Sequence, residues 1–448
     1  MKSLIKLLQN IKFMAIDGFE VVGGPDPWDT TLVVDVRPTK GKLDRCPKCG
    51  KRGRYYDEGG GARLWRALDL GVTKVYFRGQ APRVRCAEHG VVVASVPWAR
   101  HGSWFTRGFE DWVCWMTVNC TRSTVAECCR IDWKTVGPVV SRVQADLEAA
   151  RGSRLDGLVD IGIDETSYRK GYKYLTPGAG HATGEVVWAH DGYGKSVLEG
   201  FFGSLSDEQK SSIRRITGDG AGNITECAEE HCPGAERLLD PFHVVSWATD
   251  ALDEVRRRVW NDLRREEKAE RRGRGRPKKG EERPPSAADA VKKSRWPLLK
   301  NPENLTGAQE AKLALLAAED GDLYRGYLLK ERLRLLLKSG PGSAAAELDA
   351  WLSWACRCRI PEFVELSRKI RRHRGRILDT VASGLSNARL EAINNKVKVA
   401  VRMAYGFHDV GSLISLIMLR CSGLPVTLPG RRPKAVRARP AAKPGAAA

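Results

Sequence analysis

Residues 158–171 read LVDIGIDETSYRKG. Leu158, Val159, Ile161 and Ile163 make the short apolar run of a strand in the middle of a sheet, and the run stops at two carboxylates, Asp164 and Glu165. The chain that follows alternates. YKYLT and GEVVWAHD read as two adjoining strands around a Gly-rich turn, and SVLEGFFGSLSDEQKSSI reads as one amphipathic helix. RRITGDGAGN is a strand ending in Asp219, GNITECAEEH a helix, AERLLD a strand ending in Asp240, and PFHVVSWATDALDEVRRRVW a long helix. Three neighbouring strands followed by alternating helix and strand predict an α/β layer on a mixed sheet. Asp164 and Asp219 then stand at strand ends, where open sheets carry their chemistry.

Upstream, the first hundred residues are rich in Gly, Pro and short β-branched runs, which predicts small strands. They contain CPKCG, with Cys46 and Cys49, and CAEHG, with Cys86 and His89. Two such pairs at the tips of two turns supply four ligands for a tetrahedral zinc ion, and Gly50 and Gly90 permit the tight backbone that brings them together. All four ligands come from the protein, so the expected role is structural. Next, Phe109, Trp112, Val113 and Met116 form one helical stripe, Ser123 is placed to cap a second short helix, and a turn at Ile131 and Asp132 leads to a third helix with Val136, Val139, Val140 and Val143. This suits a helix-turn-helix whose last helix offers Trp133, Lys134, Thr135 and Arg142 to a major groove. An ordinary three-helix packing unit is the alternative.

The 448 residues are too many for one core. Lys and Arg number 75 against 54 Asp and Glu, and the resulting +21 points to a polyanionic partner. No apolar stretch approaches the length of a membrane span, so a membrane partner is not expected and a soluble cytoplasmic protein is. The 12 Cys are unevenly spaced, which in a reducing compartment favours metal ligands and buried thiols over disulfides.

From about Asn261 to Ser294 the sequence is charge, Gly and Pro, and reads as an exposed break. It contains RRGRGRPKKG, in which Arg274 and Arg276 have the composition of an AT-hook for the minor groove; a solvated basic linker is the alternative. Helical stretches follow, and then SNARLEAINNKVKVAVRMAYGF, a strong helix with Leu390, Ile393, Val397 and Val401 on its core face. Glu391, Asn395, Lys398 and Arg402 share an adjacent polar stripe, of which Lys398 and Arg402 are expected to meet DNA. The last twenty residues hold six basic side chains and no acid and read as a disordered tail.

Cutting a phosphodiester needs hard cations held by carboxylate oxygens, and two or three acids from rigid elements would supply them. Asp164, Asp219 and Glu391 meet that need in residue type, although spacing alone leaves open whether they converge. The ordered motifs CPKCG, GIDETSYRKGYKYLT, ITGDGAGN, LLDPFHVV, KNPENLT and SNARLEAINNKVKVAVRMAYGF resemble the DDE transposases of bacterial insertion sequences, the ISL3 group, from about residue 40 to about residue 424. The resemblance implies a multidomain α/β protein: a zinc-binding β module (1–100), a helix-turn-helix (101–152), and a ribonuclease-H-like catalytic domain in two parts (153–260 and 373–424). A basic linker and all-α insertion (261–372) separates those parts, and a basic tail (425–448) follows. It implies Asp164, Asp219 and Glu391 as catalytic residues and ligands of Mg²⁺ or Mn²⁺, two ions in all, with Asp240 and His243 as accessory residues near them. It also implies structural Zn²⁺, double-stranded DNA partners (element-end inverted repeats and target DNA) and a homo-oligomer on DNA. The rival readings are an inactive DNA-binding regulator derived from a transposase, and a nuclease or resolvase without strand transfer.

Overall fold

The computed structural model describes residues 5, 9, 11–24, 30–270, 286–318, 321–404, 407 and 409–431. Arg274, Arg276 and the tail beyond residue 431 lie outside the described residues. The chain divides into two compact units, residues 1–154 with 395–448, and residues 155–394.

The first unit begins with strands β1 (Met14–Val22), β2 (Thr31–Pro38), β3 (Arg54–Asp57), β4 (Ala62–Leu70), β5 (Thr73–Gln80), β6 (Arg83–Cys86) and β7 (Gly90–Val93). They form a four-stranded sheet in the order β1-β2-β5-β4 and a three-stranded sheet in the order β3-β6-β7. Val34, Phe77, Trp65 and Trp98 fill the core of the larger sheet, the two indoles meeting edge to face at 5.4 Å.

Three helices follow: α1 (Arg107–Asn119), α2 (Arg122–Cys129) and α3 (Trp133–Arg151). Each starts on a side chain that accepts a backbone N–H of its first turn, Thr106 from Phe109, Thr121 from Thr124 and Asp132 from Lys134. Such a cap is worth about 1 kcal/mol. The cap of α2 is Thr121 and not Ser123, because Thr121 is the last extended residue before the helix (φ −70°, ψ 152°) and Ser123 is already inside its first turn. Val113, Val125, Val136 and Val140 form the trihelical core, and the helix Val410–Cys421 adds Leu416 and Leu419 to it. That last helix therefore packs within the first unit.

The second unit opens with β8 (Asp160–Ile163), β9 (Thr166–Arg169), β10 (Lys173–Gly180), β11 (Val186–Asp191), α4 (Lys195–Gly203), α5 (Asp207–Ser212), β12 (Arg215–Gly218), α6 (Gly222–His231) and β13 (Glu236–Leu239). Sheet order is β11-β10-β8-β12-β13, with β9 paired to β10. β8, β12 and β13 are mutually parallel, so their carboxyl ends share one edge, while β10 runs antiparallel to β8 and β11. Ile161, Ile163 and Ile216 pack against Leu198, Phe201 and Ile224 from α4 and α6. The single helix expected over 196–213 is two, because Ser206 and Gln209 form a reciprocal capping box that restarts the chain at α5.

The rest is helical: α7 (Pro241–Glu270), α8 (Ala287–Lys293), α9 (Arg295–Leu299), α10 (Gly307–Ala318), α11 (Asp322–Leu336), α12 (Pro341–Arg357), α13 (Pro361–Arg372), α14 (Arg374–Ser383) and the first turns of α15 (Ala388–Met403), whose residues from 395 on belong to the first unit. Leu252, Leu329, Leu333, Trp351 and Phe363 form a second core, joined to the sheet through Leu239. The break expected from Asn261 begins later, since α7 continues to Glu270. Arg, Glu and Lys, which make this segment look exposed, are good helix formers.

Candidate active site and zinc centre

β8 delivers Asp164, β12 delivers Asp219 and β13 delivers Asp240, each one residue past its strand and all at the same sheet edge. α15 brings Glu391. Its approach to β8 depends on Gly162, where an added Cβ would collide with Leu390 Cδ1. The loop before α15 is bound to the sheet by a polar chain. The Thr217 hydroxyl of β12 donates to the Asn387 side-chain oxygen and accepts from His181 Nε2 at 2.6 Å, while the Asn387 backbone N–H donates to Asp240 Oδ1 at 3.3 Å. Arg389 reaches the carbonyl oxygens of His181 and Ala182.

The acids have distinct surroundings. Asp164 accepts from the Glu165 N–H at 2.8 Å and from Asn394 Nδ2 at 2.6 Å. Burial pushes its pKa up, the Asp219 charge adds to the rise, and His243 and the two donors oppose it. Burial likewise raises Glu391, helped by Asp240 and Asp164 and opposed by His243. Glu391 Oε1 is buried with no hydrogen-bond donor. Asp219 Oδ1 accepts the Ala221 N–H at 3.0 Å, and its backbone oxygen accepts from the buried Arg237. Asp240 is 1% exposed and accepts His243 Nδ1 at 3.1 Å, a hydrogen bond that raises the imidazole pKa. The Asp240 hydrogen bond and the Asp164 and Asp219 charges thus favour the protonated imidazole, against its burial.

Two hard-ligand features fit a divalent cation: carboxylates from three elements that sense one another's charge, and a buried Glu391 oxygen that no protein donor satisfies. Among the described residues these three acids form no ion pair with Lys or Arg, and they are not drawn into a group as tight as the zinc ligands. Sequence reasoning missed Asn387, Asn394 and Arg237. The two Asn were legible in SNARLEAINN, standing four residues before and three after Glu391 and so on its helical face.

In the first unit, Cys46, Cys49 and Cys86 Sγ and His89 lie within 4.8 Å of one another. Cys49 and Cys86 Sγ are 3.6 Å apart, and His89 Nδ1 lies 3.7 Å from Cys46 and 3.6 Å from Cys86. Those edges match a tetrahedron with metal–ligand bonds of about 2.0–2.3 Å. Gly50 and Gly90, at φ +70° and +67°, close the two turns as the sequence requires.

Trp133 (41% exposed) and Lys134 stand exposed at the start of α3, with the Arg122 guanidinium 5.2 Å from the Trp133 ring centre; Thr135 is half-buried behind them. Arg142 is turned the other way. Its Nε donates at 2.7 Å to Glu110 Oε1, a carboxylate that is fully buried and also bound by Ser103 and Arg100. The guanidinium expected at the groove is thus engaged in holding α3 to α1. Lys398 and Arg402 are exposed on the later turns of α15.

Comparisons with known proteins place the chain in a family. The ISL3-group family described as transposase matches residues 161–417, more than half of the chain. A helix-turn-helix domain of transposase family ISL3 matches residues 94–143, and the zinc-finger of transposases IS204/IS1001/IS1096/IS1165 matches residues 42–89. A transposase for insertion sequence element IS1557 from Mycobacterium tuberculosis (strain H37Rv) is 45% identical over 403 residues, 89% of this chain and 90% of that protein. A transposase for insertion sequence element IS1001 from Bordetella parapertussis is 25% identical over 410 residues, 90% of this chain and 95% of that protein. With a zinc ribbon, a helix-turn-helix domain and a transposase domain in that order, the chain belongs to the ISL3 family of transposases.

Proposed function

We propose that the protein binds the terminal inverted repeats of its insertion sequence and catalyses divalent-metal-dependent DNA strand cleavage and strand transfer, with Asp164, Asp219 and Glu391 as the catalytic acids. The observation that carries this reading is the convergence of charge at one sheet edge, where Asp164 senses Asp219 and Glu391 senses Asp164 around a buried, unsatisfied Glu391 oxygen. The sheet order, three antiparallel strands beside two parallel ones, supports a ribonuclease-H-like catalytic domain, and the helices between β13 and α15 support an all-α insertion in it.

Asp164, Asp219 and Glu391 would hold two Mg²⁺ or Mn²⁺ ions, which when bound activate an attacking hydroxyl and stabilise the leaving oxygen of an in-line displacement. The protein's own part is placement. Asn394 orients Asp164, Arg237 grips the backbone at Asp219, and the Thr217–Asn387–Asp240 chain fixes the start of the helix that carries Glu391. His243, held by Asp240, would supply positive charge for the scissile phosphate when protonated, the form that Asp240 favours. The zinc ribbon and helix-turn-helix would read the repeats, with Trp133, Lys134 and Thr135 at the groove, and Lys398 and Arg402 would add phosphate contacts. Among the described residues no helix is long and apolar enough to cross a membrane. The protein would act on nucleoid DNA in the cytoplasm as a homo-oligomer.

The test is cleavage of a duplex carrying the terminal repeat. The wild-type chain should nick it only with Mg²⁺ or Mn²⁺ and then join the new end to target DNA, while Glu391→Gln should bind equally and cut nothing. A Glu391→Gln protein that cuts at the wild-type rate removes this reading, and cutting without joining would favour the nuclease.

A further inference from the structure

The segment SRKIRRHRGR, residues 367–376, spans the end of α13 and the start of α14. Its basic residues have unequal fates. Arg374 pairs with Asp349 at 2.8 Å, and Arg376 reaches Thr225 at 3.3 Å and Glu229 at 3.5 Å on α6. Arg368, Arg371 and Arg372 are exposed and form no ion pair among the described residues. They stand at steps of three and four, on the side of α13 away from its core residues Phe363, Leu366 and Ile370. Like charges at that spacing repel, and the helix dipole at the last turn offsets this only in part.

The helix that carries these arginines reaches the Asp219 loop through Lys369 and an aromatic contact. Trp247 of α7 covers Gly220, where an added Cβ would lie 2.7 Å from Trp247 Cζ2. On the same indole, Lys369 Nζ sits 3.8 Å from the ring centroid and the His373 ring centre lies 5.5 Å away. The residue after Asp219, the Trp247 ring and Lys369 of α13 thus follow one another within a single unit, and Arg368, Arg371 and Arg372 stand on that same helix. Among the described residues Asp250 places an opposing charge on Lys369, and Glu365 stands one turn before Arg368 and Lys369.

We infer that Arg368, Arg371 and Arg372 are a phosphate-binding ridge that holds the backbone of duplex DNA entering the catalytic edge. Resting on the proposed function for its location, the inference adds a sequence-independent DNA contact outside the zinc ribbon and helix-turn-helix. A double-stranded backbone fits because it presents phosphates at regular intervals, and planar guanidinium groups grip phosphate in a forked geometry. A chain of net charge +21, with three arginines unpaired among the described residues on the helix that reaches Trp247, has the complementarity for that occupant.

The experiment measures binding of the full-length, zinc-loaded protein to a fluorescent random-sequence duplex as salt is varied. Replacing all three arginines by glutamine should lower the slope of log affinity on log salt by about 2.7, about 0.9 for each lost phosphate contact. Wild-type affinity then falls about 40-fold more than that of the variant between about 50 and 200 mM salt. The triple lysine variant should restore the slope. Single glutamine variants, each losing about 0.9, serve if the triple one does not fold. An unchanged slope in the folded variants overturns the inference, as does a change in self-association, by sedimentation without DNA, in place of the change in slope. Asp164→Asn separates the two readings: if it still cleaves, the catalytic assignment fails while the slope test of the ridge stands.

Discussion

Thr217 and Asn387, 170 positions apart in sequence, are hydrogen-bonded in the interior of the second unit, and through the Asn387 backbone the contact continues to Asp240. This joins the ends of β12 and β13 to the turn from which α15 starts. The position of Glu391 therefore depends on a polar contact made four residues before it, where the Asn387 carbonyl also accepts the Glu391 N–H at 2.9 Å.

Asn387→Ala tests this clamp. The substitution removes the acceptor of the buried Thr217 hydroxyl, and a buried polar group left unsatisfied costs about 1–3 kcal/mol. A lower urea midpoint is expected together with a loss of cleavage larger than any loss of repeat binding. A variant of reduced stability that cuts normally below its unfolding transition would show that the clamp stabilises the fold without positioning Glu391.

The zinc centre makes a second prediction. Its four ligands come from turns on either side of β3 to β6, and the surrounding three-stranded sheet has little apolar core of its own. Metal analysis of the full chain should give one zinc per protein, with Cys46→Ser losing it and the β3-β6-β7 sheet losing amide-exchange protection. Retained protection without zinc would make the metal dispensable to the fold.

How much of this was legible in advance divides along physical lines. The strand ends at Asp164, Asp219 and Asp240 were readable because a short apolar run stops at an acid, and the zinc ligands because metal chemistry fixes ligand type and spacing. On α15, Leu390, Ile393 and Val397 were correctly placed inward, but Ala400 and not Val401 continues the stripe, since a small residue three positions on lies as well on that face as a larger one four on. The long-range pairs Thr217–Asn387 and Arg142–Glu110 were not legible, because nothing local in a sequence reports which distant partner a polar side chain meets. The continuation of α7 to Glu270 was hidden by composition, as the same charged residues suit a solvated helix and an exposed break.

Glu110 gives a prediction that separates structure from recognition. Its carboxylate is fully buried and accepts from Arg142 at 2.7 Å, Ser103 at 2.7 Å and Arg100 at 3.2 Å. Neutralising it in Glu110→Gln takes the shared carboxylate charge from Arg142 and from Arg100, which keeps Asp111 and Asp146, so a lower thermal midpoint is expected. The double variant with Arg142→Gln should cost less than the sum of the two single ones in thermal unfolding. Arg142→Gln should leave the salt dependence of repeat binding unchanged in the folded protein, whereas Lys134→Gln should lower its slope by about 0.9. The reverse pattern would return Arg142 to the groove.

The last prediction concerns the pair of acids that ends the β8 stretch. Strand alternation would turn Glu165 away from Asp164, but β8 stops at Ile163 and the alternation rule no longer applies at Glu165. Glu165 in fact senses the charges of both Asp219 and Asp164, and burial pushes its pKa up. What distinguishes it is its partner, since Oε1 accepts the Gly194 N–H at 2.9 Å and so anchors the turn after β11. Glutamine keeps an oxygen for that bond, whereas Asp164→Asn and Asp219→Asn remove charges from a site proposed to hold cations. Glu165→Gln should therefore retain most Mg²⁺-dependent cleavage at the element end, and the two aspartate variants should lose it by more than about 100-fold in kcat while still binding the repeat, as expected when the lost interaction acts in the chemical step. Equal losses in Glu165→Gln and Asp219→Asn would make Glu165 a fourth member of the catalytic set, and a large loss in Glu165→Gln alone would shift the metal site from Asp219 towards the turn at Gly194.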